Sequence, residues 1–370
     1  MELTIERDEL LAALYLVQGI VERRTTLPVL SNVLMQSVGD GVAVAATDQE
    51  VGVRRRCVAA VKRKGMLTVS ARKLYEMVRE FSAGEVRIRS LDNNWIEVAA
   101  GRSRFRLVGM DPREFPAMPE LAGGSAAQVV KVSSETLAEM IERTVFAVSA
   151  DETRANLNGV FFECAEVGRL RMVATDGHRL SMVTRMVEGA QLSKGVIIPR
   201  KAIMEIRKVL ESGEGPIDIS VQVGVAHVQR GPVQMSMRLL EGEFPDYRQV
   251  VPARSERLAL VDAAALLAAL RRVSIVSSER TRGVKLQLDP QKLEISSINP
   301  DVGEATEEVE VEYDGVSMGI GFNARYLIEA LGVLPGEARV EIGLNDEVSP
   351  GAFRQVGDPD YCYIVMPMRL

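Results

Sequence analysis

The chain has 370 residues, with 45 Lys and Arg, 51 Asp and Glu and 2 His, for a formal net charge of −6. Hydrophobic residues make up 46% and charged residues 26%, enough apolar surface to offset chain entropy and exclude a disordered chain. The acidic balance excludes a coat of basic charge on every side, and two histidines leave little room for chemistry built on several imidazoles.

Met1-Glu2-Leu3-Thr4-Ile5-Glu6 has no apolar signal region, and the greasiest stretch, 258–270, contains Asp262 and is too short to span a bilayer. Cys57, Cys164 and Cys362 are odd in number and far apart, so neither a disulfide framework nor a cysteine zinc site is expected. A cytoplasmic chain without membrane contact, metal or cofactor is the expectation. The length suggests two or three domains.

Along the chain, residues 9–21 place Leu10, Leu14, Val17 and Val21 on one helical face. The apolar run 42–45 then leads to Thr47-Asp48, and strand-like 66–69 leads to Ala71-Arg72-Lys73-Leu74 and a helix over 71–81. Val86-Arg87-Ile88-Arg89 alternates as a strand. Turn formers cluster at 111–116, Pro119 and Gly123-Gly124-Ser125. A helix over 135–147 follows, then strand-like 170–173 before Thr175-Asp176, and strand-like 196–198 before Pro199-Arg200-Lys201-Ala202 and a helix over 201–210. Turn formers recur at 241–257 with Pro245 and Pro252. Helices over 263–273 and 324–334 bracket alternating segments such as Leu286-Gln287-Leu288 and Val309-Glu310-Val311.

These landmarks repeat. Arg72, Arg200 and Arg325 each open a helix after a strand, spaced 128 and 125 residues apart. Thr47-Asp48 and Thr175-Asp176 are 128 apart, with Ile298-Asn299 as a degenerate third copy, and Phe115-Pro116 and Phe244-Pro245 are 129 apart. Several coincidences in one order make chance the poorer explanation. The period is long enough for a whole domain, so the chain reads as three copies of one α+β domain, each with two helices on one side of antiparallel sheets. The expected boundaries are 1–122, 129–245 and 246–370.

Basic residues recur on the helices: Arg23 and Arg24, Arg72, Lys73 and Arg79, Arg143, Arg200, Lys201, Arg207 and Lys208, Arg271 and Arg272, and Arg325. Acidic residues gather on strands, as in Glu304, Glu307, Glu308, Glu310 and Glu312. Each basic face alone reads as solvated surface, whereas recurrence over six helices suits a track for a polyanion. No phosphate loop, dinucleotide fingerprint or H-E-x-x-H run occurs. Asp176 and His178 could form half of a catalytic dyad, but no nucleophile elbow accompanies them.

Thr175-Asp176-Gly177-His178-Arg179-Leu180, Ile198-Pro199-Arg200-Lys201, Phe244-Pro245-Asp246-Tyr247 and the terminal Val365-Met366-Pro367-Met368-Arg369-Leu370 together resemble the bacterial sliding clamp family, the β subunit of DNA polymerase III. The resemblance covers the whole chain in order. It implies three DNA-clamp domains, with helices lining a central hole and sheets outside, closed into a six-domain ring by a head-to-tail homodimer. It also implies a non-catalytic processivity factor that encircles double-stranded DNA without sequence preference, with Arg24, Arg72, Lys73, Arg200 and Lys201 near or facing DNA. Where some members carry aromatics before the Leu157-Asn158-Gly159 run, this chain has Ala155 and Asn156, which removes the basis for a stacking contact there.

By the same resemblance, a peptide-docking pocket is lined by Leu157, Thr175, Gly177, His178, Arg179, Leu180, Pro245, Val250, Val348, Ile364, Met366, Pro367 and Met368. The replicative polymerase's catalytic subunit, clamp loader subunits and repair polymerases would insert short peptides there. From the residues alone, the apolar terminus reads either as a last strand closing a core or as an adaptable, methionine-rich groove. The implied dimer interface joins Phe105 and Leu107 of one chain to Ile275 and Val276 of the other, with ion pairs between Lys73 and the run 304–308. Two other readings stand beside the clamp: a monomeric module binding peptides or nucleic acid, and an acid/base enzyme using His178 and Asp176.

Overall fold

The computed structural model describes residues 1–21, 27–118, 128–252 and 254–369. Arg23, Arg24, the turn formers at 119–125 and Leu370 lie outside the described residues. Six α-helices appear among those described: α1 (Arg7–Gln18), α2 (Ala71–Glu80), α3 (Ser134–Glu142), α4 (Arg200–Glu211), α5 (Ala263–Val273) and α6 (Ala324–Leu331).

Three of these end three or more residues earlier than the apolar period predicts. Helix α1 stops at Gln18, before Gly19, so Val21 falls beyond it. Past α3, the Thr144 hydroxyl donates to the Met140 carbonyl at 2.7 Å, and the chain tightens into the 3-10 turn Val145–Ala147. Helix α6 stops before Gly332, whose N–H donates to the Ile328 carbonyl.

The described residues pack as two units. The first comprises Met1–Ala138, Val187–Leu192 and Lys201–Leu239, and the second Glu139–Met186, Ser193–Arg200 and Leu240–Leu370. In the first unit, a five-stranded sheet runs in the order Ala60–Arg63, Glu2–Glu6, Glu85–Ser90, Trp95–Ala100, Ser103–Val108. An eight-stranded sheet there runs Gln128–Val132, Ile217–Gln222, Val225–Arg230, Val233–Arg238, Val51–Val58, Gly41–Thr47, Asn32–Val38, Met66–Ser70. The second unit repeats the plan. Its eight-stranded sheet runs Val196–Pro199, Gly159–Glu166, Arg169–Thr175, Arg179–Met186, Tyr361–Val365, Gly351–Gln355, Arg339–Leu344, Arg257–Asp262. A four-stranded sheet runs Gly303–Glu310, Lys292–Asn299, Gly283–Asp289, Met318–Asn323.

Each eight-stranded sheet takes four strands from one sequence copy and four from the next. The seams are antiparallel: Met235 faces Val53 in the first unit, and Leu180 faces Ile364 in the second. All pairings are antiparallel, so every backbone group in a seam strand has a partner on both sides. The cores are apolar and buried, aliphatic at Leu10, Leu14, Val33 and Leu74 in one unit and mixed with aromatics at Val173, Leu266, Phe322 and Tyr363 in the other.

One cation departs from the basic-face reading. Arg143 is buried just beyond α3, and its guanidinium contacts Glu139 at 3.0 Å, Asp358 at 2.7 Å and Gln355 at 2.9 Å while lying 4.7 Å over the Tyr361 ring. Arg185 shares both carboxylates, at 2.6 Å to Glu139 and 2.7 Å to Asp358. Two guanidiniums and two carboxylates thus lock the turn after Gly351–Gln355 onto the middle of the chain. Arg143 belongs to this lock and not to a solvent-facing track.

Removing the shared carboxylate by Asp358→Ala leaves both guanidiniums without it and should destabilise the second unit by about 3 kcal/mol, measured by urea unfolding. The hydrogen bond from Arg185 holds the Glu139 carboxyl below its usual range. Its contribution to stability is therefore full above the ordinary carboxylate range and is lost as pH falls through that depressed value. Glu139→Gln should flatten this acid-side decline in the unfolding midpoint.

Candidate functional site

A single turn chemistry recurs at the ends of matching strands. The Thr47 hydroxyl donates to the Val51 carbonyl and accepts from the Gln49 N–H, both at 3.0 Å, while Asp48 Oδ1 accepts from the N–H groups of Glu50 and Val51. One copy later the Thr175 hydroxyl donates to the Arg179 carbonyl at 2.6 Å and accepts from the Gly177 N–H at 3.1 Å. Asp176 Oδ1 accepts from the N–H groups of His178 and Arg179. Position 177 has φ +89°, and a Cβ there would come within 2.8 Å of Arg154 Nη2, so glycine suits both the backbone and the packing. Asn299 Oδ1, accepting from the Asp301 N–H, is the reduced third version.

The second turn borders a cavity of about 210 Å³ within the second unit. Its lining is Arg154, Leu157, Thr175, Gly177, Arg179, Leu180, Pro245, Asp246, Tyr247, Val250, Ile364 and Met366. The walls are mainly apolar, with Arg154 and Asp246 as exposed polar groups at the rim, as suits an apolar anchor side chain carried on a peptide. Beneath lies a cluster of Val173, Leu180, Tyr247, Ala352, Cys362 and Ile364, where burial pushes the Cys362 thiol pKa up.

Arg179 ties this rim to α6. It donates to Asp176 at 3.1 Å, to the Phe146 carbonyl at 2.6 Å and to Glu329 at 2.5 Å, and its guanidinium lies 4.4 Å over the Tyr326 ring. Burial opposes its charge, but Tyr363, Glu329 and Asp176 together raise its pKa. The Tyr247 hydroxyl pKa is raised by burial and by its bond to Glu163.

Nine of the thirteen expected pocket residues line this cavity: Leu157, Thr175, Gly177, Arg179, Leu180, Pro245, Val250, Ile364 and Met366. Four do not. His178 is exposed on the turn, and its carbonyl accepts from the Met366 N–H at 2.8 Å. Val348 is 73% exposed on a turn capped by Asp346. Pro367 and Met368 lie past the cavity, and the Met368 N–H donates to the Gly321 carbonyl at 2.9 Å. Sequence reading missed Arg154, Asp246 and Tyr247, although Asp246 and Tyr247 stand directly after Pro245. The acid/base pairing of Asp176 with His178 finds no support, since the carboxylate is committed to two backbone N–H groups and to Arg179.

Among the expected DNA-facing residues, Arg24 lies outside the described residues. Arg72 and Lys73 are exposed on the first turn of α2 and share Glu76, at 2.7 and 3.0 Å. Their hydrogen bonds hold the Glu76 carboxyl pKa below its usual range. Arg72 also lines a hollow of about 760 Å³ with Gln18, Val21, Ser31, Ser70, Tyr75, Glu76 and Arg79. Arg200 is exposed at the start of α4, while Lys201 is half-buried and ion-paired to Asp48.

Among the described residues, the two smaller sheets each end in an open edge. On Ser103–Val108, Arg104 and Arg106 alternate with Phe105 and Leu107 across the strand. Phe105 is 39% exposed, with its ring 5.7 Å from Phe81, and Leu107 is half-buried. On Gly303–Glu310, Glu304, Thr306, Glu308 and Glu310 share one face. Ile275 is 79% exposed in the 3-10 turn Ser274–Val276, beside half-buried Val276. Lys73 pairs within its own helix, while Glu307 bonds Arg272 at 2.9 Å and Glu308 bonds Lys292 at 2.9 Å.

Three family models match in series: the N-terminal domain of the DNA polymerase III beta subunit over residues 1–119, its central domain over 131–246 and its C-terminal domain over 248–369. The chain is 37% identical to the beta sliding clamp of Caulobacter vibrioides and 38% identical to that of Pseudomonas putida, each over 100% of both chains. Its fold matches the crystal structure of the DNA polymerase III subunit beta from Pseudomonas aeruginosa with a TM-score of 0.93, at 38% identity and over 100% of both chains.

Proposed function

The chain belongs to the DNA polymerase III beta subunit family, the beta sliding clamps, and on that premise we propose how its own residues close a ring, face DNA and dock partners. It is a DNA sliding clamp for the polymerase, a non-catalytic processivity subunit with the three-domain clamp fold. Family membership gives it DNA, a polymerase and a second copy of itself as partners in general terms. The domains run over 1–122, 129–245 and 246–370, and the site of action is the cytoplasm.

The ring closes head to tail through the two open edges. The observation that carries this is their opposite charge: Arg104 and Arg106 on one, Glu304, Glu308 and Glu310 on the other. Antiparallel pairing of the edges would satisfy unpaired backbone groups and set these charges side by side, with Phe105 and Leu107 turned toward Ile275 and Val276. A heterologous contact of this kind needs a closing rotation to avoid filaments.

Within the ring, Arg24, Arg72, Lys73, Arg200 and Lys201 face the duplex. Contacts to phosphate carry no sequence information, which suits a clamp that must slide. The cavity beside Leu180 and Met366 takes apolar anchors from short peptides of the polymerase catalytic subunit, clamp loader subunits and repair polymerases.

Retention on DNA tests the enclosure. Loaded protein should stay on a nicked circle and leave once the circle is cut, and equal loss from both forms would refute a ring. In direct binding to short duplexes, alanine at Arg72, Lys73, Arg200 and Lys201 should lower the salt slope by about 0.9 for each phosphate that is no longer neutralised.

The edge pairing has its own check. Arg104→Glu with Arg106→Glu should shift sedimentation from dimer toward monomer, and mixing with a chain carrying Glu304→Arg and Glu308→Arg should restore the dimer mass. At the pocket, Met366→Ala with Leu180→Ala should weaken partner-peptide binding about 30-fold with the dimer intact.

A further inference from the structure

The first sequence copy contains a counterpart of the pocket, and the two differ at a few matched positions. Strand register carries Gly52 to Leu180, Gln36 to Glu163 and Ala43 to Arg171, since Gln36 faces Ala43 as Glu163 faces Arg171. The Phe-Pro pair that follows each copy carries Met118 to Tyr247.

In the first copy Met118 lies down on the sheet. A Cβ on Gly52 would come within 2.7 Å of Met118 Cε, so the thioether methyl fills the space that a pocket would need. Glycine at 52 is what makes room for it.

In the second copy the matching side chain is held aside. The Tyr247 hydroxyl donates to Glu163 Oε1 at 2.5 Å and accepts from Arg171 Nη1 at 2.9 Å. Arg171 is itself fixed by donating to the Thr184 hydroxyl at 2.9 Å. Arg248 lies 4.8 Å over the Tyr247 ring and reaches Glu163 at 3.3 Å. None of this is available in the first copy, where Ala43 cannot donate and Gln36 is engaged by Arg54 at 3.3 Å. The phenol is buried, so its hydroxyl has a strong preference for the one place where both partners are present.

We propose that Glu163 and Arg171 are positioning residues that hold Tyr247 as a wall and keep the cavity beside Leu180 open, where the first copy is plugged by its own methionine. This rests on the reading of that cavity as the partner-peptide site. It assigns the presence of an open pocket in one copy to a hydrogen-bonded latch on the wall residue Tyr247, made by Glu163 and Arg171, which do not line the cavity themselves.

The probe is a fluorescently labelled decapeptide carrying a Leu-Phe pair, titrated by anisotropy against the full-length dimer. Tyr247→Phe, which keeps the ring and loses the latch, should weaken binding about tenfold, the scale of one net hydrogen bond. Tyr247→Met, which copies the plugged arrangement, should weaken it further. Glu163→Ala should behave like Tyr247→Phe, and Glu163→Gln, which still offers an acceptor oxygen, should recover most of the affinity. A purely structural role for Glu163 would not give that recovery at matched thermal midpoints and dimer mass. Wild-type affinity in Tyr247→Phe, or Glu163→Gln as weak as Glu163→Ala, overturns the latch while leaving the pocket assignment intact. Probe binding that ignores Met366→Ala overturns the pocket assignment and the latch with it.

Discussion

The pairing of the terminal strand Tyr361–Val365 with Arg179–Met186 is the constraint on which the second unit depends. It joins four strands of one sequence copy to four of the next, so a segment from the far end of the chain closes a sheet begun in the middle. Tyr361 and Tyr363 are buried in that seam, and burial pushes the Tyr361 hydroxyl pKa up to about 12, so this group remains neutral at any working pH. The charged contacts then follow from the seam. Asp358 precedes the strand and receives Arg143 and Arg185, and Met366 follows it and donates to the His178 carbonyl. The cavity lies where the strand ends, because the chain there leaves the sheet beside the turn at 175–179.

The repeats show which parts of such a junction are generic. The Thr-Asp turn is kept bond for bond between 47–51 and 175–179, because its backbone N–H groups need acceptors wherever a strand reverses at the end of the sheet. Side chains on the sheet face are free to diverge. Val51 against Arg179, Gly52 against Leu180 and Ala43 against Arg171 convert one packing problem into two outcomes, one filled and one hollow. Duplication supplied the frame, and a handful of substitutions on one face decides what the frame holds.

Much of this was legible in the sequence, for a physical reason. The helices announce themselves through a local apolar period, and α5 spans the predicted residues 263–273 without change. Strand-to-strand seams are not local: nothing in Val51–Val58 signals that its neighbour is Val233–Arg238. Arg143 reads as one more cation on a helix face because, apart from Glu139 one turn back, its partners Gln355 and Asp358 lie 212 and 215 residues away. Tyr247 was passed over for the same reason, with its partners 76 and 84 residues distant. His178 shows the opposite case. It stands in the run that carries the resemblance, yet in a turn alternate residues point different ways, and it is the flanking Gly177 and Arg179 that border the cavity.

Charge is where composition and structure finally agree. The net −6 is not spread evenly, and three of the cations proposed to face DNA have a carboxylate neighbour. Arg72 and Lys73 share Glu76, and Lys201 pairs with Asp48. The exposed pairs at Glu76 are worth little, so a phosphate at the proposed DNA face would displace that carboxylate at small cost. Glu76 would in turn recapture the cation when the phosphate moved on. An arginine without such a neighbour would bind DNA more tightly and release more counterions in doing so. On that proposed placement a built-in carboxylate would shallow the energy wells along the duplex, and an acidic protein with paired cations would be better suited to sliding than a basic one with free cations.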